Sequence, residues 1–289
     1  MASAIRLVAD VKALLGEGPL WVARDAALYW VDIKGYRILK LDDSGIREWS
    51  TKVRVGSLAM RATGGFIAGT DAGFATVELD EEARFTSLDS PEGDLPQNRF
   101  NDGKVDRQGR FWAGTMDDTE RASLGTLYRI DADLRWTTQD EGYAVTNGPA
   151  FSRAGNVMYH TDSGRRTVYR FSVAADGTLG ERQVFAHFTG AEGYPDGMTV
   201  DAEDCLWISF WDGWAVRRFS PAGEQLDMIE VPVQRPTSVA FGGPALDRLY
   251  ITSARVGLDA AALAAQPFAG GLFMCEPGVT GIAETPFAG

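Results

Sequence analysis

The stretch "GNVMYHTDSGRRTVYRFSVAADG", residues 155–177, decides how the chain is read. A glycine turn opens it, an aromatic-bearing run follows, a second turn at Asp162 to Gly164 breaks that run, and another strand-like run closes on Asp176 and Gly177. In the second run Tyr169, Phe171 and Val173 fall on one face and Val168, Arg170 and Ser172 on the other, the period of two that a strand requires. The same rhythm returns in "AALYWVDIKGYRILKLDDSG" (26–45), "GGFIAGTDAGFATVELDEE" (64–82), "GRFWAGTMDD" with "GTLYRIDAD" (109–118 and 125–133), "DCLWISFWDGWAVRRFSPAG" (204–223) and "DRLYITSARVG" (247–257). That makes six copies. Their aromatic positions, Trp30, Phe66, Trp112, Tyr159, Trp207 and Tyr250, lie 36 to 48 residues apart, near the period of a four-stranded propeller blade.

The expected fold is therefore all-β: a six-bladed β-propeller of four-stranded antiparallel blades, with residues 1–289 as a single domain. Each blade of a propeller buries both faces against its neighbours, so Trp30, Trp112 and Trp207 are expected to pack between blades. The 33 glycines suit the many turns such a fold needs. One segment departs from the pattern: "VGLDAAALAAQ" (256–266) reads equally as a short helix or a long loop.

Composition narrows the partners. The chain has 289 residues, 45% hydrophobic and 24% charged, an ordinary globular balance with ample material for a core. A formal net charge of −12 argues against nucleic acid or an anionic membrane, both of which call for clustered Lys and Arg. Small molecules and cations fit better. The N-terminal stretch "MASAIRLVADVKALLGEG" has no basic region ahead of an apolar core, and Arg6, Asp10 and Lys12 interrupt it. No later run is long and apolar enough to span a bilayer. A cytoplasmic monomer is expected. Cys205 and Cys275 form no CxxC and read as inert core thiols.

The repeat then singles out four side chains. About 11 to 13 residues before each of four aromatics stands an oxygen-bearing residue: Glu17 before Trp30, Asn101 before Trp112, Asn147 before Tyr159 and Asp196 before Trp207. A lone Asx before glycine is ordinary turn chemistry. Four in register on a repeating scaffold must converge at one end of the central channel. Glu17, Asn147 and Asp196 supply two carboxylates and an amide carbonyl, a hard donor set for one divalent ion, with Ca²⁺, Mg²⁺, Mn²⁺, Fe²⁺ and Zn²⁺ all admissible.

The stretches "LGEGPLW", "NRFNDGKVDRQGRFWAGTM", "TNGPAFS", "YHTDS", "YPDGMTVDAEDCLWISFWDG" and "FGGPALDRLYITSAR" resemble the senescence marker protein/regucalcin/gluconolactonase family, over about Leu7 to Phe273. The resemblance implies a six-bladed propeller that holds one divalent metal and hydrolyses sugar lactones. It maps the metal ligands onto Glu17, Asn147 and Asp196, and substrate contacts onto Arg99 and Asn101. A further acidic substrate contact falls within "GTMDDTERAS", where Asp117, Asp118 and Glu120 are candidates and Asp118 is the one taken; the segment reads equally as a lid or as a solvated charged loop. Asp196 is expected to act as the base as well as a ligand, and Asp102 to orient Asn101. Phe100, Tyr194 and Trp211 are expected around the mouth. His160 and His187, the only two histidines, are expected to be structural, with His160 admissible behind the ligands. A calcium-binding regulatory propeller without turnover and a paraoxonase-like esterase are the competing readings.

Overall fold

In the computed structural model, which describes residues 4–289, six four-stranded antiparallel sheets stand around an axis. The first three residues of the N-terminal stretch lie outside the described residues. Blade I is built from Gly16–Val22, Ala27–Asp32, Arg37–Asp42 and Gly45–Ser50, and blade II from Val55–Met60, Phe66–Thr70, Gly73–Leu79 and Ala83–Ser87. Blade III comprises Asn98–Val105, Phe111–Asp117, Gly125–Ile130 and Trp136–Tyr143; blade IV comprises Thr146–Phe151, Val157–Asp162, Thr167–Ser172 and Gln183–His187. Blade V contains Tyr194–Val200, Leu206–Trp211, Ala215–Phe219 and Gln225–Glu230. Blade VI takes Pro236–Gly242, Arg248–Ser253 and Leu272–Cys275 from the C-terminal part of the chain and its fourth strand, Arg6–Ala9, from the N-terminal part.

The six repeats read from the sequence fall one to a blade. The aromatics pack between blades as expected: Trp30, Trp112 and Trp207 are buried, Trp112 meets Phe151 of blade IV at 5.9 Å, and Trp207 meets Phe241 of blade VI at 6.2 Å. The alternation in the opening stretch has the same cause. Phe171 and Val173 join Trp112, Leu127 and Tyr143 on the blade III side, whereas Val168 joins Met198, Ile208 and Phe210 on the blade V side. Burying both faces of a blade is what makes both strand faces apolar.

Two of the interblade tryptophans are fixed by an acidic residue in the preceding turn. Asp106 accepts from the backbone N–H groups of Gln108 and Arg110 and from Trp112 Nε1; Asp201 accepts from Glu203, Cys205 and Trp207 Nε1 in the same pattern. The alanine-rich segment is a short helix, Ala260–Ala265, capped by Asp259 accepting from the Ala262 N–H. Both cysteines are buried and free. No helix among the described residues is long and apolar enough to cross a membrane.

Candidate active site

Each inner strand carries an irregularity at one level, between Glu17 and Leu20, Val55 and Ser57, Phe100 and Gly103, Asn147 and Ala150, Pro195 and Met198, and Pro236 and Val239. A bulge re-aims the side chains beside it. Here it brings Glu17, Asn101, Asn147 and Asp196 together as lining of one cavity of 430 Å³. The glycines after Glu17 and Asn147 sit at φ +52° and +79°, a conformation that L side chains rarely adopt, which accounts for "EGP" and "NGP" at equivalent places.

The floor of the cavity is a hydrogen-bonded web that crosses blades. Asn147 Nδ2 donates to Ser163 Oγ (2.9 Å), which donates to the carbonyl of Pro195 (2.6 Å), the residue before Asp196. Asn147 Oδ1 accepts from Asn101 Nδ2 (3.0 Å), and Asn101 Nδ2 also donates to the Thr146 carbonyl (2.7 Å). Asn101 Oδ1 accepts from Arg99 Nη1 (2.6 Å), whose Nε donates to Asp118 (2.6 Å). Asp118 accepts in turn from Arg54 (2.6 Å), which also donates to Asp71 (2.9 Å). With both amide hydrogens of Asn101 engaged, the orientation of Asn147 is fixed with Oδ1 as an acceptor.

Glu17 and Asp196 are each 5% exposed and have no Lys or Arg ion pair among the described residues. Burial pushes the Glu17 carboxyl well above the usual carboxylate range, and the neighbouring Asp196 and Asp102 push it further. Burial likewise raises Asp196, with Asp102 and Glu120 adding to it. Two buried carboxylates that disfavour each other's ionisation, beside an oriented amide oxygen, form the donor set that a hard divalent cation relieves. No group of three His, Cys, Asp or Glu side chains among the described residues is placed to hold a metal; the fit here rests on two carboxylates and an amide.

Several sequence expectations are refined by the geometry. Asp102 does not orient Asn101: it accepts from the N–H of Gly148 (2.8 Å), pinning the backbone next to Asn147, and burial pushes its carboxyl up to about 6. Among the three acidic candidates, Asp117 caps its own turn by accepting from Thr119, Arg121 and Ala122, and Asp118 is engaged by Arg99 and Arg54, while Glu120 lines the cavity. Phe100 is not at the mouth. It is buried against Phe74 at 4.4 Å, because strand alternation turns it away from the side that carries Arg99 and Asn101. Tyr194 and Trp211 do line the cavity.

His160 is fully buried against Tyr143, both ring nitrogens lack a hydrogen-bond partner among the described residues, and it does not line the cavity. His187 is exposed on the outermost strand of blade IV and faces Thr167 Oγ1 through Nδ1. Sequence reasoning missed Ser163, Lys34 and Arg235. The first two stand in the turn after the second strand of a blade, in "TDSG" and "DIKG", and that recurrence was the available signal. Arg235, before the inner strand of blade VI, left none.

Comparison with known proteins agrees with this architecture. The family model described as SMP-30/Gluconolactonase/LRE-like region matches residues 15–255. The chain is 37% identical to a 6-deoxy-6-sulfogluconolactonase of Pseudomonas putida, over 100% of both chains, and 36% identical to an L-arabinolactonase of Azospirillum brasilense, over 98% of this chain and 95% of that one. The crystal structure of a calcium-binding protein, regucalcin, from Agrobacterium tumefaciens superposes with a TM-score of 0.94 at 28% identity, covering 99% of this chain and 97% of that one.

Proposed function

The chain belongs to the SMP-30/gluconolactonase/LRE-like family, and from that premise we propose that it hydrolyses a sugar aldonolactone to the aldonic acid with one divalent ion held by Glu17, Asn147 and Asp196. The observation that carries the reading is the buried Glu17 and Asp196 pair, neither in an ion pair among the described residues, beside an Asn147 oriented from Asn101 in a 430 Å³ cavity. The relatives named as sugar lactonases support the substrate class, and the calcium-binding neighbour supports a cation.

When bound, such an ion supplies Lewis acidity toward the lactone carbonyl and lowers the pKa of water. The chain's own groups do the rest. Asp196 accepts the proton of the attacking water through its carboxylate. Arg99 has its Nε and Nη1 committed to Asp118, Asn101 and the Phe100 carbonyl, so the guanidinium is fixed before substrate arrives and keeps Nη2 for sugar oxygens. Tyr194 and Trp211 present aromatic wall to the sugar ring. Ser163 and Asp102 hold the backbone on which Asn147 and Asp196 stand.

The test is acid release from a panel of pentono- and hexonolactones by chelator-stripped protein, with Ca²⁺, Mg²⁺, Mn²⁺, Fe²⁺ or Zn²⁺ restored one at a time. Metal-dependent turnover of one sugar series is expected. Tight metal binding with no turnover above the spontaneous rate would instead favour a calcium-binding regulator, in keeping with the name of the structural neighbour.

A further inference from the structure

A second cleft, of 240 Å³, opens between blades II and III. Its lining comes from the turn between the second and third strands of blade II, from the connection that joins the two blades, residues 88–97, and from the two inner strands of blade III. Arg99 lines both this cleft and the larger cavity, so the two adjoin there. It is matched by Asp118 at 2.6 Å, and Asp71 of the cleft is matched by Arg54 at 2.9 Å. Glu92 has no such partner. Among the described residues its carboxylate accepts from neutral donors alone: Thr115 Oγ1 (2.7 Å) and Tyr128 Oη (3.1 Å) at Oε1, and Asn98 Nδ2 (3.0 Å) at Oε2. A carboxylate oxygen has two lone pairs to offer, so Oε2 keeps one place. Asn98 is 6% exposed and commits Nδ2 to Glu92 and to the Leu124 carbonyl (3.3 Å), which fixes the amide; its buried Oδ1 has no hydrogen-bond partner among the described residues.

We propose that this cleft is a second ligand site, separate from the larger cavity, for a neutral sugar of monosaccharide size whose hydroxyl groups donate to the acceptors at Glu92 and Asn98. Both open positions are acceptors, and a buried acceptor left unpaired is costly, so the ligand that gains most is one rich in O–H donors. An acid is refused, because it would meet the Glu92 charge while the one cation in the lining, Arg99, is already held by Asp118. The volume lies below the roughly 300–1,000 Å³ of sites for drug-sized ligands, which restricts the occupant to a small molecule. Leu95 and Pro96 supply the apolar part of the lining that the C–H groups of a sugar need. An occupant would also adjoin Asp71 and Arg99, two members of the web that runs through Arg54, Asp118 and Asn101 to Asn147. The inference goes beyond the lactonase reading and does not depend on turnover.

The experiment is isothermal titration of the full-length protein with D-glucose, D-galactose and L-arabinose, and with D-gluconate as the acidic counterpart. Ala72 is exposed, lines the cleft and is absent from the larger cavity, so Ala72→Trp fills the cleft without touching the web; an unchanged melting temperature checks that this variant is folded. At least one neutral sugar is expected to bind the wild type saturably with Kd of about 1 mM or tighter, and Ala72→Trp should lose that binding. Glu92→Gln should weaken it about tenfold, the effect of removing one charge-assisted hydrogen bond, and Trp211→Ala, in the larger cavity, should retain it. Retention in Ala72→Trp with loss in Trp211→Ala would put the sugar in the larger cavity and overturn the proposal. So would the absence of saturable binding to the wild type, or binding of D-gluconate that Ala72→Trp removes equally. Because binding is read directly, a failure of the lactonase reading leaves this result standing, and the two are told apart.

Discussion

In the proposed mechanism Asp196 is both ligand and base, and its neighbours set the proton affinity of its metal-free carboxyl. Its burial and the nearby Asp102 raise its proton affinity, while the turn N–H of Gly197 opposes that rise. Asp196→Asn keeps the shape and removes the charge; we expect kcat/KM to fall by about 10²- to 10⁴-fold, the usual worth of a general base, with the circular dichroism spectrum unchanged. Unaltered turnover would take Asp196 out of the mechanism. Asn101→Ala tests the web instead: Asn147 loses the donor that orients its Oδ1, so metal affinity should weaken by about 10- to 100-fold, as for other groups that support metal ligands from behind. Titration of the metal-free variant with Ca²⁺ or Mn²⁺ measures it directly, and wild-type affinity would return Asn101 to a substrate contact alone. Glu17, Asn147 and Asp196 were legible because each is followed by glycine and stands about 11 to 13 residues before an aromatic. Ser163 and Asp102 were not, because their partners, the Pro195 carbonyl and the Gly148 N–H, belong to other blades.

At the scale of the element, the second strand of blade IV buries a polar ring that has no hydrogen-bond partner among the described residues. His160 lies within that strand opposite Tyr169, packed edge-on against Tyr143 at 4.6 Å, with Arg182 as the nearby charge and Asp140 bonded to both Tyr143 and Arg182. Burial first, and the Arg182 charge second, lower its pKa to about 3. The folded state thus keeps the imidazole neutral where the unfolded chain, with a pKa near about 6.5, takes up a proton. The stability this site supplies is full above that value and drains as pH falls from there toward 3. Between pH 7 and pH 4.5 the loss should be on the order of 2 to 3 kcal/mol. Urea unfolding at the two pH values, compared with His160→Leu, measures it; equal pH dependence in both proteins would discard the idea. The sequence showed the strand and the histidine in it, but whether the ring finds a partner depends on the neighbouring strands.

For the whole molecule, the decisive event is closure. Arg6–Ala9 pairs antiparallel with Leu272–Cys275, Arg6 opposite Met274 and Leu7 opposite Phe273, so the two ends of the chain share blade VI. The C-terminal segment then crosses the far end of the channel, where Phe287 is buried among Ile67, Phe74 and Phe111 and Glu284 meets Lys104 at 3.1 Å. A ring closed in this way leaves no long edge exposed. One domain over residues 1–289 predicts a single thermal unfolding transition. Starting the chain at Asp10 removes the closing strand, and the melting temperature should drop by roughly 10 °C, the effect of a few kcal/mol on a chain of this size. Calorimetry of the two forms decides, and an unchanged melting temperature would show that the closing strand contributes little.

By itself the sequence determined the blade count, the strand alternation and the level of the inner strands that carries oxygen donors, because all three recur at a fixed period and periodicity survives without coordinates. Tertiary structure decided what has no period: the pairing of the N-terminal strand with the last, and the passage of hydrogen bonds from Arg54 through Asp118, Arg99 and Asn101 to Asn147. The first joins segments from opposite parts of the sequence within one blade, the second joins residues from different blades, and both are set by how the sheets pack around the axis rather than by any local repeat.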